Sequence, residues 1–180
     1  MDTHRVDVKS ILDDLGGTIE VSDTFPLLDL NVGDEHFTVR EPVRFTVTVN
    51  NGGTGIVAYG TVSADVTATC ARCLIEFPIT ITGEVDGYFI RHGDTDNIPE
   101  EQDVEEIDSE GYIDLCPEIM GALVLEAPFA PLHDEECAGI CPECGADMNT
   151  EPCDCADAPD PGNPFAALGT LLEQGTDSAT

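Results

Sequence analysis

Positive charge is nearly absent from this chain. Its 180 residues carry six Lys and Arg against 37 Asp and Glu, a formal net charge of −31 with histidine neutral. All six cations, Arg5, Lys9, Arg40, Arg44, Arg72 and Arg91, lie in residues 1–91, where fourteen acids leave −8; residues 92–180 hold 23 acids and no cation, hence −23. Affinity for nucleic acid comes mainly from cations that displace counterions along phosphates, so direct, strong RNA binding is not expected. An anionic membrane surface is disfavoured on the same ground. Long apolar runs are missing too. None approaches the ~20 residues that span a bilayer, and no basic-then-apolar leader stands at the N-terminus. Together these absences predict a soluble, cytoplasmic protein whose partners are basic proteins and metal ions. No nucleophile elbow, phosphate-binding glycine loop, zinc-protease helix or spaced pair of catalytic carboxylates occurs, so no enzyme is expected.

What the chain does hold is alternation, then helical periodicity, then cysteine. Val43, Phe45, Val47 and Val49 alternate with Arg44, Thr46 and Thr48, the period of a strand with one apolar face. After the turn cluster Asn50-Asn51-Gly52-Gly53, Val62, Ala64, Val66 and Ala68 repeat the pattern. A third strand carries Phe77, Ile79, Ile81 and Val85, and the short Cys70–Glu76 connection predicts antiparallel pairing of the second and third. Val6–Val8 and Phe37–Val39 are candidate edge strands, and Ser10–Leu15 a helical turn.

Residues 92–112, with nine acids, predict a mobile acidic loop, because so polar a stretch cannot bury enough surface to offset its ordering entropy. Leu115, Ile119, Ala122 and Leu123 then fall on one face of a helix within 113–131, with Asp114 as cap and Pro117 tolerated in the first turn. A cysteine-rich segment occupies 132–156. Residues 157–180 form a linker and a terminal helix opened by Asn163-Pro164, with Phe165, Leu168, Leu171 and Leu172 as its stripe. The expected class is therefore α+β: an antiparallel β-sheet region over 1–91 with a packed helix, followed by a small metal-binding segment and a C-terminal helix.

Eight cysteines in a chain without a secretory leader suggest metal ligands or redox chemistry rather than a disulfide framework. Cys141-Pro-Glu-Cys144-Gly followed by Cys153-Asp-Cys155 has the spacing of a tetrahedral four-sulfur site, since a Pro/Gly turn sets two sulfurs on one ion while backbone N–H groups bond the thiolates. Zinc is expected there, iron is the competing metal, and free or disulfide-bonded cysteines are the plain alternative. Glu143, Asp147, Glu151 and Asp154 would make this knob anionic rather than ligate.

Cys70-Ala-Arg72-Cys73 admits three readings: buried core thiols, a redox pair beside Arg72, or half of a second metal site completed by His133 and Cys137. One zinc ion is thus expected, with a second site open. Cys116 is expected to be buried, and His4, His36 and His92 to lie at the surface.

An ordered set of motifs resembles one family. Cys70-Ala-Arg72-Cys73 ahead of Phe77, Ile113-Asp114-Leu115, Ala127-Pro128 with Pro131-Leu132, Gly139-Ile140-Cys141-Pro142-Glu143-Cys144-Gly145 and Asn163-Pro164-Phe165-Ala166-Ala167-Leu168 follow one another as in the bacterial YceD family, the large ribosomal RNA subunit accumulation proteins, over residues 5–173. The resemblance implies a small cytoplasmic protein linked to large-subunit ribosomal RNA, with no established reaction and a zinc-binding tail. His133 stands where cysteine-rich relatives carry cysteine, and the terminal helix lacks the basic residues often found there. Reconciled with the charge, this predicts a ribosome-biogenesis factor that holds a basic ribosomal protein or assembly factor on an acidic surface. A thiol redox protein using Cys70 and Cys73, and an acidic structural zinc protein of unrelated interaction role, are the alternatives.

Overall fold

A computed structural model describes residues 4–93, 104–151 and 153–157. They divide into two units, Met1–His133 and Asp134–Thr180. The first is built from nine strands, β1 (Arg5–Asp7), β2 (Thr18–Phe25), β3 (Asp29–Val32), β4 (Glu35–Val39), β5 (Val43–Asn51), β6 (Ile56–Thr69), β7 (Glu76–Arg91), β8 (Glu105–Ile107) and β9 (Tyr112–Asp114), and one helix, α1 (Cys116–Glu126).

Strand β6 is the centre of a seven-stranded, mostly antiparallel sheet. Along one side it pairs with β7 over its whole length, from Ile56↔Phe89 to Thr69↔Glu76. Its other side is shared, first by β5 (Asn51↔Ile56 to Arg44↔Ser63) and then by β4 (Thr38↔Thr67, Val39↔Val66). β2 lies outside β5 and β3 outside β4, while β8 joins β7 in parallel. A separate antiparallel pair joins β1 to β9. The three strands read from alternation are thus present, with the expected antiparallel connection through Cys70–Glu76.

The alternation is physical. Val43, Phe45, Val47 and Val49 face inward with Ala58, Val62, Ala64 and Val66 of β6 and Ile81, Val85 and Phe89 of β7, all buried, while Thr46, Thr61, Thr82 and Glu84 face solvent. α1 covers the inner face with Ile119, Ala122 and Leu123. It approaches closely because β7 has glycine where it crosses: a Cβ on Gly83 would lie 2.5 Å from the Ala122 carbonyl oxygen, and one on Gly87 2.7 Å from Glu118 Cγ. The buried Asn51 ties the 8–17 turn to this core, its Nδ2 donating to the Ile11 and Leu12 carbonyls and its Oδ1 accepting from Gly53 N.

The structure differs from the sequence reading in its strands and in the extent of its helix. β2 and β3 were not expected; their apolar positions are few and β2 is an edge strand whose Ile19 and Val21 are only half buried. β8 and β9 fall within the stretch read as an acidic loop, because Ile107 and Ile113 are buried there among the acids; residues 94–103 lie outside the described residues. The helix is shorter than 113–131, since Tyr112–Asp114 pairs as β9. Asp114 accepts from Cys116 N (3.0 Å) and from His4 N (2.9 Å), but the capping position itself is Leu115. The expected terminal helix over Asn163–Leu172 lies outside the described residues, among which α1 is the one α-helix.

The second unit is described over 134–151 and 153–157. An antiparallel bridge joins Ile140 to Asp147, Met148 N donates to the Gly139 carbonyl, and a 3₁₀ turn spans Asp154–Asp157.

Candidate metal centres

In the first unit, β6 runs out at Thr69 and β7 begins at Glu76, and the intervening turn is closed by two backbone hydrogen bonds: Cys70 N to the Ile75 carbonyl (2.8 Å) and Leu74 N to the Cys70 carbonyl (2.9 Å). In the second unit Cys141 N donates to the Ala146 carbonyl (2.8 Å) and Gly145 N to the Cys141 carbonyl (2.8 Å). The two turns therefore have the same pattern at the same offsets. Each also places the residue after its second cysteine in the left-handed region, Leu74 at φ 62° and Gly145 at φ 74°. This is the Cys-x-x-Cys knuckle, in which both sulfurs project to one side while N–H groups of the turn point at them.

Within the first unit the Cys70 knuckle meets His133. Its Nδ1 lies 3.3 Å from Cys73 Sγ and 3.4 Å from Cys70 Sγ, and its ring stands edge-on to Phe77 at 6.3 Å. The preceding chain is held by Ala71 N donating to the Pro131 carbonyl. Burial pushes the Cys70 thiol up, but the His133 ring and the N–H groups of Cys73, His133 and Arg72 outweigh it and draw it down to about 5. Cys70 is thus poised as thiolate, the form that ligates a metal. A thioredoxin-like role would want a helix after the pair; here a strand follows.

In the second unit the sulfurs of Cys141, Cys144, Cys153 and Cys155 all lie within 4.8 Å of one another. Tetrahedral Zn–S bonds of about 2.3 Å require sulfurs roughly 3.8 Å apart, so the set needs only a small contraction. The N–H of Cys144, the Cys153 thiol and the N–H of Glu143 lower Cys141 to about 7 against its burial. Cys153 receives the Cys155 N–H, yet neighbouring Cys141, burial and Cys144 push it up to about 12, and Cys155 is also raised, chiefly by Cys144. Four sulfurs this close cannot all ionise unless a cation neutralises them. A soft divalent cation fits the donor set, whether zinc or iron.

Cys137 belongs to the second unit, is buried, and accepts from Asn149 Nδ2 at 3.6 Å. Asn149 is the residue the sequence reading missed. Its Oδ1 also accepts from Ala138 N (2.7 Å), and its own N and Nδ2 donate to Asp147 Oδ1. Asp-x-Asn in a turn was the available signal. Cys116 is half buried rather than buried, and His4 is not a plain surface residue, its ring packing edge-on against Phe45 at 4.7 Å. His36 and His92 are exposed as expected.

A recess of about 450 Å³ beside α1 is lined by Glu84, Asp86, Glu105 and Glu118. Glu118 Oε2 is buried with no hydrogen-bond partner among the described residues, and burial, with the Glu105 and Asp114 charges, lifts its carboxyl to about 7.

Residues 58–172 match the family described as large ribosomal RNA subunit accumulation protein YceD, a segment that includes both knuckles and all eight cysteines. The chain belongs to the YceD family. An uncharacterized protein of Mycobacterium leprae is 28% identical over 139 residues, covering 76% of this chain and 64% of that protein. Uncharacterized proteins of Mycobacterium bovis and Mycobacterium tuberculosis are each 35% identical over 99 residues, covering 54% of this chain and 47% of theirs. This YceD-family chain thus spans from about half to under two thirds of the length of these relatives. No solved structure matches it.

Proposed function

We propose that this protein is a non-enzymatic ribosome-biogenesis factor of the cytoplasm that supports accumulation of large-subunit ribosomal RNA by holding a basic ribosomal protein or assembly factor on its acidic surface. Family membership supports the first half. Charge carries the second. Not only is the net charge −31, but four of the six cations of the first unit are paired internally: Arg5 with Asp108 and Glu110, Lys9 with Asp7, Arg44 with Asp65 and Arg91 with Asp13. RNA would have to displace those carboxylates to reach four of the six cations, whereas a Lys/Arg-rich protein meets carboxylates directly, including the acidic recess beside α1. Among the described residues no helix is long and apolar enough to cross a membrane.

Zinc ions hold the cysteine segments in this reading. One is bound by Cys141, Cys144, Cys153 and Cys155. A second is bound by Cys70, Cys73 and His133, with Cys137, four residues beyond His133 in the chain, as fourth ligand. The matching knuckle hydrogen bonds and the Cys73–His133–Cys70 approach support the second site, and the crowding of four sulfurs supports the first. Neither ion performs chemistry; each supplies folding energy to a short segment that buries little apolar surface.

The test is binding of purified, metal-loaded protein to salt-extracted large-subunit ribosomal proteins and, separately, to naked large-subunit RNA. Retention of basic proteins at low salt, falling steeply as the screening length shrinks toward ~8 Å at physiological ionic strength, is the expected result. Retention of RNA alone, or of no basic component at low salt, overturns the partner assignment.

A further inference from the structure

We infer that the Cys141–Cys144–Cys153–Cys155 centre is a modification site for uncharged peroxides, closing into disulfides and losing its metal under conditions that leave Cys70 and Cys73 reduced. The inference rests on the reading that both centres hold metal. Its first ground is exposure: Cys70 and Cys73 are 0% and 6% accessible, while Cys144 is exposed and Cys153 and Cys155 are partly so. An oxidant must touch a sulfur to react, and of the two centres only this one includes an exposed cysteine.

The second ground is the availability of a resolving thiolate. All four sulfurs of this centre lie within 4.8 Å of one another, so an oxidised sulfur has a partner without rearrangement of the chain, a short closing motion sufficing to reach the S–S bond length of about 2.05 Å. Charge then selects the oxidant. Glu143, Glu151 and Asp154 are exposed around the knuckle, and no Lys or Arg follows Arg91; an anionic oxidant such as glutathione disulfide is repelled, and neutral hydrogen peroxide is not.

The step balances as follows. The Cys144 thiolate attacks one oxygen of hydrogen peroxide, the O–O bond breaks, and the departing hydroxide takes a proton from solvent to leave as water, giving the sulfenic acid. A second thiolate of the same centre attacks that sulfur, the S–O bond breaks, and a second hydroxide leaves as water after protonation. Two thiolates, one peroxide and two protons thus become one disulfide and two waters, with two electrons passing from sulfur to oxygen. The ion, now short of two anionic ligands, passes to solvent.

The experiment treats the full-length, zinc-loaded protein with hydrogen peroxide or with glutathione disulfide. Zinc is counted beforehand by elemental analysis, released zinc is followed with a chromogenic chelator, and the 70–73 and 141–155 peptides are mapped by mass spectrometry after differential alkylation. Disulfide formation in the 141–155 peptide at least tenfold faster than oxidation of the 70–73 peptide, with zinc release in step and glutathione disulfide slower than peroxide, is expected. Equal rates, or earlier oxidation at Cys70 and Cys73, overturn the inference while a normal zinc count leaves the metal reading standing. Parity between the two oxidants overturns the charge selection, and a protein that holds no zinc overturns both readings. A Cys144→Ser variant should slow the reaction; should it fail to bind metal, the peptide rates in the parent protein decide alone.

Discussion

Leu74 sits where its twin knuckle has glycine, and this gives a prediction that isolates backbone strain. At φ 62° its Cβ crowds the following carbonyl, a cost of roughly 1–2 kcal/mol for a non-glycine residue. Its side chain is 61% exposed, so truncation removes little burial. Leu74→Gly relieves the strain but adds about 0.5–1 kcal/mol of unfolded-chain entropy. The net expectation is a gain of about 0.5–1 kcal/mol. Leu74→Ala keeps the Cβ and should change stability little. Gly145→Leu, placing a Cβ at φ 74° in the other knuckle, should cost about 0.5–1 kcal/mol once the same unfolded-chain entropy is credited to it. Denaturant and thermal unfolding of the metal-loaded proteins measure these differences; for a chain of this size 1 kcal/mol moves the midpoint by roughly 2–4 °C. A loss of stability in Leu74→Gly, or no loss in Gly145→Leu, would refute the claim that the two turns share one strained conformation.

Gly83→Ala drives a Cβ into the Ala122 carbonyl and should cost about 1–3 kcal/mol in urea unfolding, whereas Gly121→Ala, which meets nothing within 4 Å on the exposed side of α1, should gain about 0.5–1 kcal/mol; equal effects would deny the close approach of helix and sheet. Glu118 has a folded pKa raised to about 7 from the ordinary 4.5, so the fold favours its protonated form and stability falls as pH rises between those values. Glu118→Gln removes that slope and should gain on the parent protein as pH goes from 5 to 8, and a difference that is flat or reversed in urea midpoints would contradict the burial of this carboxyl. Removing metal with a strong chelator should collapse the amide resonances of the described part of the second unit while those of β5, β6 and β7 stay dispersed; full dispersion after verified metal removal would show that the cysteine segment folds without an ion.

How much of this could be read from the sequence depended on how local the cause was. The inner strands announced themselves because Val43 to Val49 and Val62 to Ala68 obey a period of two, and α1 because Leu115, Ile119, Ala122 and Leu123 obey the helical period. β8 and β9 did not, since three-residue strands carry a single buried residue each, Ile107 or Ile113, and owe their pairing to partners far along the chain. Within the metal centres, Cys141, Cys144, Cys153 and Cys155 were legible by spacing alone. The approach of His133 to Cys70 and Cys73 crosses about sixty residues of chain; a pairing so distant has no period to betray it, so the sequence offered it only as one of three readings of Cys70 and Cys73. The left-handed Leu74 was invisible for a different reason: where glycine marks such a position the sequence speaks, and leucine says the opposite.

Charge and metal cooperate in a way neither reveals alone. A divalent ion bound by carboxylates would neutralise part of the acidic surface that the proposed partner needs. Four thiolates around one divalent cation instead leave the centre at a charge of about −2, and three with an imidazole about −1. The Cys153 and Cys155 thiols, held up by their neighbours when unligated, become anionic on binding, so the loaded protein is more negative than the formal −31, which counts cysteine as uncharged. The ions thereby supply rigidity without consuming any of the carboxylates, and Glu143, Glu151 and Asp154 stay exposed around the knuckle. Binding of a basic partner should accordingly be tighter, and its salt dependence steeper, for the metal-loaded than for the metal-free protein. A chelated protein that binds such a partner with undiminished affinity and salt slope would separate the metal centres from the acidic surface and leave them a purely local role.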